Sequence, residues 1–152
     1  MKISFPVLVI ALAFLTSCQS NSSKNETADL AKTDTVTNIK ECFLYINKMD
    51  TATLSLNAAD KHITGTLSYN LFEKDKNNGV ISGIVKGDTI IADYAFQSEG
   101  QNTIRQVVWL RKGDQLIEGF GDIAEVNGKT IFKKISDLKF EQSMVFEKTE
   151  CK

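Results

Sequence analysis

Ile63-Thr64-Gly65-Thr66-Leu67-Ser68-Tyr69-Asn70-Leu71 is the stretch that decides the fold class. Ile63, Leu67, Tyr69 and Leu71 fall at every second position with Gly65 in phase, and His62, Thr64, Thr66, Ser68 and Asn70 lie between them. Successive side chains of a strand point to opposite faces, so this segment has one face for a core and one for water. Reading outward, the same alternation recurs behind short polar turns. The polar run 73–79 leads to a strand over 80–86, Gly87-Asp88 turns the chain, and a strand returns over 89–97. Ser98 to Asn102 turns again before 103–112, and Lys112-Gly113-Asp114 turns once more. Residues 115–126 are extended with a bend at Gly119 and Gly121. Asn127-Gly128 is a hairpin signal of the mirror-image turn type, answered by a strand over 129–135. Strands over 40–47, 51–57 and 143–148 complete a set of about nine, with one helical turn expected between 135 and 141.

No long amphipathic helical pattern interrupts this series, so the domain over 39–152 is all-β, an antiparallel up-and-down meander. A meander this long exposes two edges unless it closes on itself. A calycin-like barrel is therefore expected, with a β-sandwich as the alternative. Small residues at Gly65, Gly83, Ala92 and Gly119 either mark the bends that curl such a sheet or leave a cavity inside it.

Composition narrows the function classes. The chain has 152 residues, 18 basic against 19 acidic side chains and 42% hydrophobic content, enough for one core. A formal net charge of −1 removes the electrostatic case for nucleic acid. The one histidine, His62, sits on the polar side of its strand, so neither a multi-histidine metal site nor a Ser-His-Asp arrangement is expected. An EF-hand reading of the 75–86 stretch fails because Gly79 stands at an alternate ligand position and Lys86 at the twelfth. No Gly-rich phosphate loop or nucleophile elbow occurs. No catalytic residue, metal ligand or cofactor is assigned.

The N-terminus has its own logic. Lys2 precedes an apolar run from Ile3 to Leu15 that is shorter than the ~20 residues a membrane-spanning helix requires. The run ends in Leu15-Thr16-Ser17-Cys18, which resembles the lipobox of bacterial lipoproteins. That resemblance implies a signal peptide over 1–17, cleavage before Cys18, a diacylglyceryl thioether on Cys18 and acylation of the new amino group. Two or more acyl chains anchor a protein stably where one does not. Residues 18–38, polar and without aromatics, read as a flexible tether. Gln19 after the lipid-bearing cysteine resembles lipoproteins sorted to the outer membrane, and because no acidic cluster directly follows Cys18, unlike in some surface-exported lipoproteins, the periplasmic face is expected. With Cys18 lipidated, Cys42 and Cys151 are left in an oxidising compartment, and one disulfide between them is expected.

Paired carboxylates deserve separate treatment. Asp93 opposes Ile90, Ala92, Tyr94 and Phe96 and so points outward, whereas Glu118 shares a face with Leu116 and Phe120 and points inward. Arg105 or Lys112 is the expected partner of Glu118. Arg105, Val107, Trp109 and Arg111 share one face of their strand, and Ile104, Val108 and Leu110 the other. Either face is apolar enough for a core. Trp109 is then either the largest core residue or an exposed aromatic between two arginines, a composition enriched at interfaces.

The domain resembles a group of small Bacteroidota lipoproteins without assigned function. The likeness rests on Cys42-Phe43-x-Tyr45, Gly65-x-Leu67-x-Tyr69-Asn70, Glu73-Lys74-Asp75-x-Asn77, Gly87-Asp88, Asp93-Tyr94-x-Phe96-x-Ser98-Glu99-Gly100, Arg105 and Glu118-Gly119-Phe120-Gly121. A second likeness, to periplasmic inhibitors of c-type lysozyme, rests on Ser98-Glu99-Gly100 and Trp109-Leu110-Arg111-Lys112-Gly113. The chain departs from that pattern: Glu99 interrupts the first motif, no Tyr follows it, and the second is one residue too long. The expected function is a lipid-anchored envelope binding module for a small hydrophobic or glycan ligand or an envelope protein. Glu99, Arg105, Trp109, Arg111 and Glu118 are its candidate contacts. The alternative is a periplasmic inhibitor or protein-interaction factor working through its loops.

Overall fold

The computed structural model describes residues 38–74, 76–141 and 143–152. The expected signal peptide, Cys18 and the expected tether up to residue 37 lie outside the described residues, as do Asp75 and Gln142. Ten strands follow in order: β1 Ile39–Asn47, β2 Asp50–Ala59, β3 His62–Asn70, β4 Asn77–Lys86, β5 Thr89–Ser98, β6 Gln101–Lys112, β7 Gln115–Glu118, β8 Ile123–Val126, β9 Lys129–Phe132 and β10 Val145–Thr149. The helical turn is a 3-10 turn at Ile135–Asp137.

β1 to β7 pair in sequence order, each antiparallel to the next, and β10 lies between β7 and β1. The sheet therefore closes into an eight-stranded, calycin-like antiparallel barrel. The stretch expected as one bent strand, 115–126, is two strands, because the chain leaves the wall at Gly119 and Gly121. β8 and β9 form a hairpin through Asn127-Gly128 and attach to β6 by a parallel ladder of two residues, Ile104↔Lys129 and Arg105↔Thr130.

The glycines answer the question of bend or cavity. A Cβ on Gly65 would run into the backbone carbonyl of Ser55, and one on Gly83 into that of Ile91 and the side chain of Ala92. Neighbouring strands approach most closely there as the sheet curls, so these glycines serve curvature. An eight-stranded barrel is just wide enough for its own side chains to fill. Phe43, Leu54, Leu56, Ile63, Leu67, Ile81, Ile90, Leu116 and Phe146, each no more than 2% exposed, fill the core of this one.

Closure also brings the domain's ends together. β1 and β10 pair at Cys42↔Thr149, Phe43↔Lys148 and Leu44↔Glu147. Cys42 and Cys151 lie at disulfide distance, with Cα atoms 5.2 Å apart across a sequence separation of 109.

Candidate functional site

β6 settles the orientation of the candidate residues. Trp109 is 0% exposed and packs edge-on against Phe146, with ring centroids 6.4 Å apart. The external alternative for Trp109 is therefore corrected: Arg105, Val107, Trp109 and Arg111 line the barrel interior, and no surface patch joins them. Val108, on the opposite face, is equally buried. The excursion between β7 and β10 returns over this part of the wall: Phe140 and Leu138 lie against Gly119, whose N–H bonds the Val108 carbonyl at 2.8 Å.

Along β6 the two arginines have different surroundings. Arg111 lies toward the end where the termini meet and forms two hydrogen bonds to Glu41, Nη2 to Oε2 at 2.7 Å and Nη1 to Oε1 at 3.2 Å. Lys148 Nζ joins at 3.0 Å from Glu41 Oε1, and Phe43 lies under the Arg111 guanidinium at 5.7 Å. Partial burial alone would raise the Glu41 pKa, but these two cations outweigh it and hold the carboxyl below its ordinary value. This charged plug is satisfied within the protein. It is structural, and Arg111 is thereby accounted for.

Arg105 lies toward the other end of β6 in an aromatic setting. Its guanidinium carbon is 5.1 Å from the centroid of Tyr69, 5.5 Å from Tyr94 and 5.6 Å from Phe96. Tyr94 and Phe96, two residues apart on β5, stack at 4.6 Å. Such cation–π contacts hold a guanidinium in place without neutralising it. Among the described residues Arg105 makes no ion pair.

Glu118 completes the cluster. It is 5% exposed, and Tyr69 on β3 donates its hydroxyl hydrogen to Glu118 Oε1 at 2.8 Å. The expected ion pair with Arg105 or Lys112 does not form; Arg105 acts on Glu118 through its field. Burial pushes the Glu118 carboxyl above the ordinary carboxylate value, only partly offset by the Tyr69 hydroxyl and the Arg105 charge. Burial likewise pushes Tyr69 well up, reinforced by Glu118, and Tyr94 up to about 12. Four buried polar atoms of these inward-facing residues have no hydrogen-bond partner among the described residues: Glu118 Oε2, Tyr94 Oη, Trp109 Nε1 and Arg105 Nε. An unmade buried hydrogen bond costs roughly 1–3 kcal/mol, so these four require an explanation.

A raised carboxyl pKa means that the folded state binds its proton more tightly than the unfolded chain. Stability contributed by that proton is present at low pH and lost as pH rises through the raised value. Glu41 acts in the opposite direction and in a lower window. Stability measured by urea unfolding should therefore fall above pH 4.5, with a slope of at most about 1.4 kcal/mol per pH unit. Glu118→Gln retains a carbonyl for the Tyr69 hydroxyl and should flatten that slope. An unchanged slope in the variant would remove Glu118 as its source.

Glu99 stands apart from this cluster. It is exposed in the turn between β5 and β6 with φ +50°, beside Gly100 at φ +77°. Sequence reasoning thus brought together Arg105, Trp109 and Glu118 and missed Tyr69 and Tyr94, read only as core. Their signal was available, since a buried tyrosine hydroxyl needs a partner and both lie on the inward faces of their strands.

A second feature lies on the outside. The ladder between β1 and β10 stops at Leu44↔Glu147, and beyond it a groove of about 900 Å³ opens, lined among others by Tyr45, Ile46, Phe120, Met144 and Val145. Ile46 is 63% and Phe120 50% exposed. Models of protein families, curated proteins and solved structures were all compared with the chain, and none matches.

Proposed function

We propose that this chain is a lipid-anchored binding module of the bacterial cell envelope that holds its ligand at the Arg105–Glu118 cluster and carries out no covalent chemistry. One observation supports the reading: four buried polar atoms, two donors and two oxygens, on inward-facing residues of the barrel have no partner among the described residues. Ligand sites are built this way, from apolar walls and a few convergent polar groups, and each unsatisfied atom is a cost that a ligand would relieve. Native mass spectrometry of the full chain, extracted from envelopes in mild detergent, tests it. A reproducible added mass beyond the lipid is expected, and a bare lipidated mass in every preparation would overturn it.

The anchor rests on Leu15-Thr16-Ser17-Cys18, and Gln19, with no acidic cluster directly after Cys18, supports an outer-membrane, periplasm-facing location. Cys18→Ser should move the protein from the membrane fraction to the soluble one, as read by fractionation and immunoblot. Retention in the membrane would refute the lipobox reading.

The groove beside Phe120 favours a second reading, a protein-interaction factor. Its contacts would be Ile46 and Phe120 and the nearby loops, since Trp109 is out of reach of any partner.

A further inference from the structure

Two Asn-Gly pairs occur in the chain, Asn78-Gly79 and Asn127-Gly128, and the fold treats them differently. We infer that Asn127 is a site of spontaneous covalent modification: its side-chain amide is lost to a succinimide formed with Gly128, and the hairpin tip ages to aspartate and isoaspartate. No ligand or partner is needed.

The reaction uses only the chain and water. The Gly128 nitrogen, deprotonated by hydroxide, attacks Asn127 Cγ. A C–N bond forms, the Cγ–Nδ2 bond breaks, and Nδ2 leaves as ammonia with a proton returned by water. Water then opens the five-membered ring. Cleavage of the new Cγ–N bond leaves aspartate. Cleavage of the original peptide C–N bond leaves isoaspartate, in which the main chain runs through the former side chain. Glycine in the second position favours the attack, because no Cβ stands beside the nucleophile.

Backbone setting separates the two pairs. Both asparagines are exposed, so access to solvent does not distinguish them. Gly79 lies inside β4, paired with Leu67 on β3 and with Phe96 on β5. A Cβ there would run into the Ala95 carbonyl, so the neighbouring strand closes around it. Ring closure would turn the Asn78 backbone away from its extended course and break the ladders on both sides. The β8–β9 pairing instead ends at Val126↔Lys129 and leaves Asn127 and Gly128 outside it. Their φ values of +52° and +74° make the mirror-image two-residue turn, and a Cβ on Gly128 would meet nothing within 4 Å. Among the described residues the Gly128 N–H has no backbone partner, so the tip can close the ring without losing a pair.

The change falls where the hairpin is held. Lys129 ends the pairing with β8, is one of the two residues that join β9 to β6, and forms an ion pair with Asp93. Isoaspartate lengthens the main chain by one carbon in a turn of two residues. Either product adds a carboxylate two positions from Lys129 and takes the formal net charge from −1 to −2.

The test holds the full chain in detergent in warm, mildly alkaline buffer and digests samples with trypsin at intervals. Cleavage after Lys76, Lys86, Lys112 and Lys129 puts the two pairs on separate peptides, 77–86 and 113–129. A gain of about 1 Da and a second, isoaspartate peak are expected on 113–129, at a rate at least about tenfold that on 77–86. In the urea-unfolded chain both pairs should react at comparable rates. Isoelectric focusing should show an acidic band growing in the wild type and none in Asn127→Gln, whose amide would have to close a six-membered ring. Equal rates on the two peptides of the folded chain, or a faster gain on 77–86, overturn the proposal. So does a 113–129 peptide that stays intact in the folded chain while the unfolded one reacts.

Discussion

Replacing Cys42 and Cys151 together with serine is expected to lower the stability of the barrel by about 4–5 kcal/mol, the chain-entropy value for a loop of this size. The two residues are 109 positions apart, so the bond joins nearly the whole domain into one loop. Most of the effect comes from the unfolded chain, which without the bond regains the freedom of its two ends. The native state is affected at one place. β1 and β10 form the seam that closes the barrel, and their ladder covers only Cys42 to Leu44 against Thr149 to Glu147. Without the bond, that seam depends on three residue pairs and on the Glu41–Arg111–Lys148 plug beside it. Small domains are stable by roughly 5–15 kcal/mol, so the loss takes about a quarter or more of the total. Urea unfolding of the oxidised protein, the reduced protein and the double serine variant would measure it. Oxidised and double-serine curves that agree to within about 1 kcal/mol would mean that closure holds the ends without help from the bond.

The barrel was legible because most of its strands are half-buried. In β3 and β5 the alternation of Ile63, Leu67 and Tyr69 and of Ile90, Ala92, Tyr94 and Phe96 is the inward face itself, and Asp93 opposes it as expected. The pairing of the ends was legible from cysteine arithmetic, once Cys18 was expected to carry lipid, since the two remaining cysteines at opposite ends of a meander bond only if it closes. The site was less legible, for two physical reasons. β6 is covered on both faces, by the core on one side and by the excursion after Gly119 on the other, so Val108 and Trp109 are equally buried and parity loses its meaning. The partner of Glu118 depends on which strand faces β7 across the barrel. That is set by strand tilt and closure, properties of the whole sheet, and local spacing offered only Arg105 and Lys112 where the answer was Tyr69, 49 residues away. The path of β10 was hidden for the same reason: a strand that returns between β7 and β1 reads in sequence like any other.

Trp109→Ala is expected to cost about 3–5 kcal/mol, the range for deleting a buried large aromatic. The residue stands where several walls meet: Ile90 is its neighbour on β5, Glu118 its neighbour on β7, and Phe146 of β10 packs against its ring. No backbone rearrangement brings those walls together, because strand separation in a closed barrel is fixed by its ladders. The void would persist, and its lining would lose contacts outright. Had Trp109 faced solvent between Arg105 and Arg111, the same substitution would fall within about ±0.5 kcal/mol, so thermal or urea unfolding separates the two orientations by a wide margin. Trp109→Phe refines the result. It retains most of the ring's packing and removes the indole N–H, which has no acceptor among the described residues, so it should cost less than half as much. Loss on that scale with full ligand affinity would show the indole to be core alone. Weakened binding at nearly normal stability would mean that the indole N–H of Trp109 is a donor to the ligand.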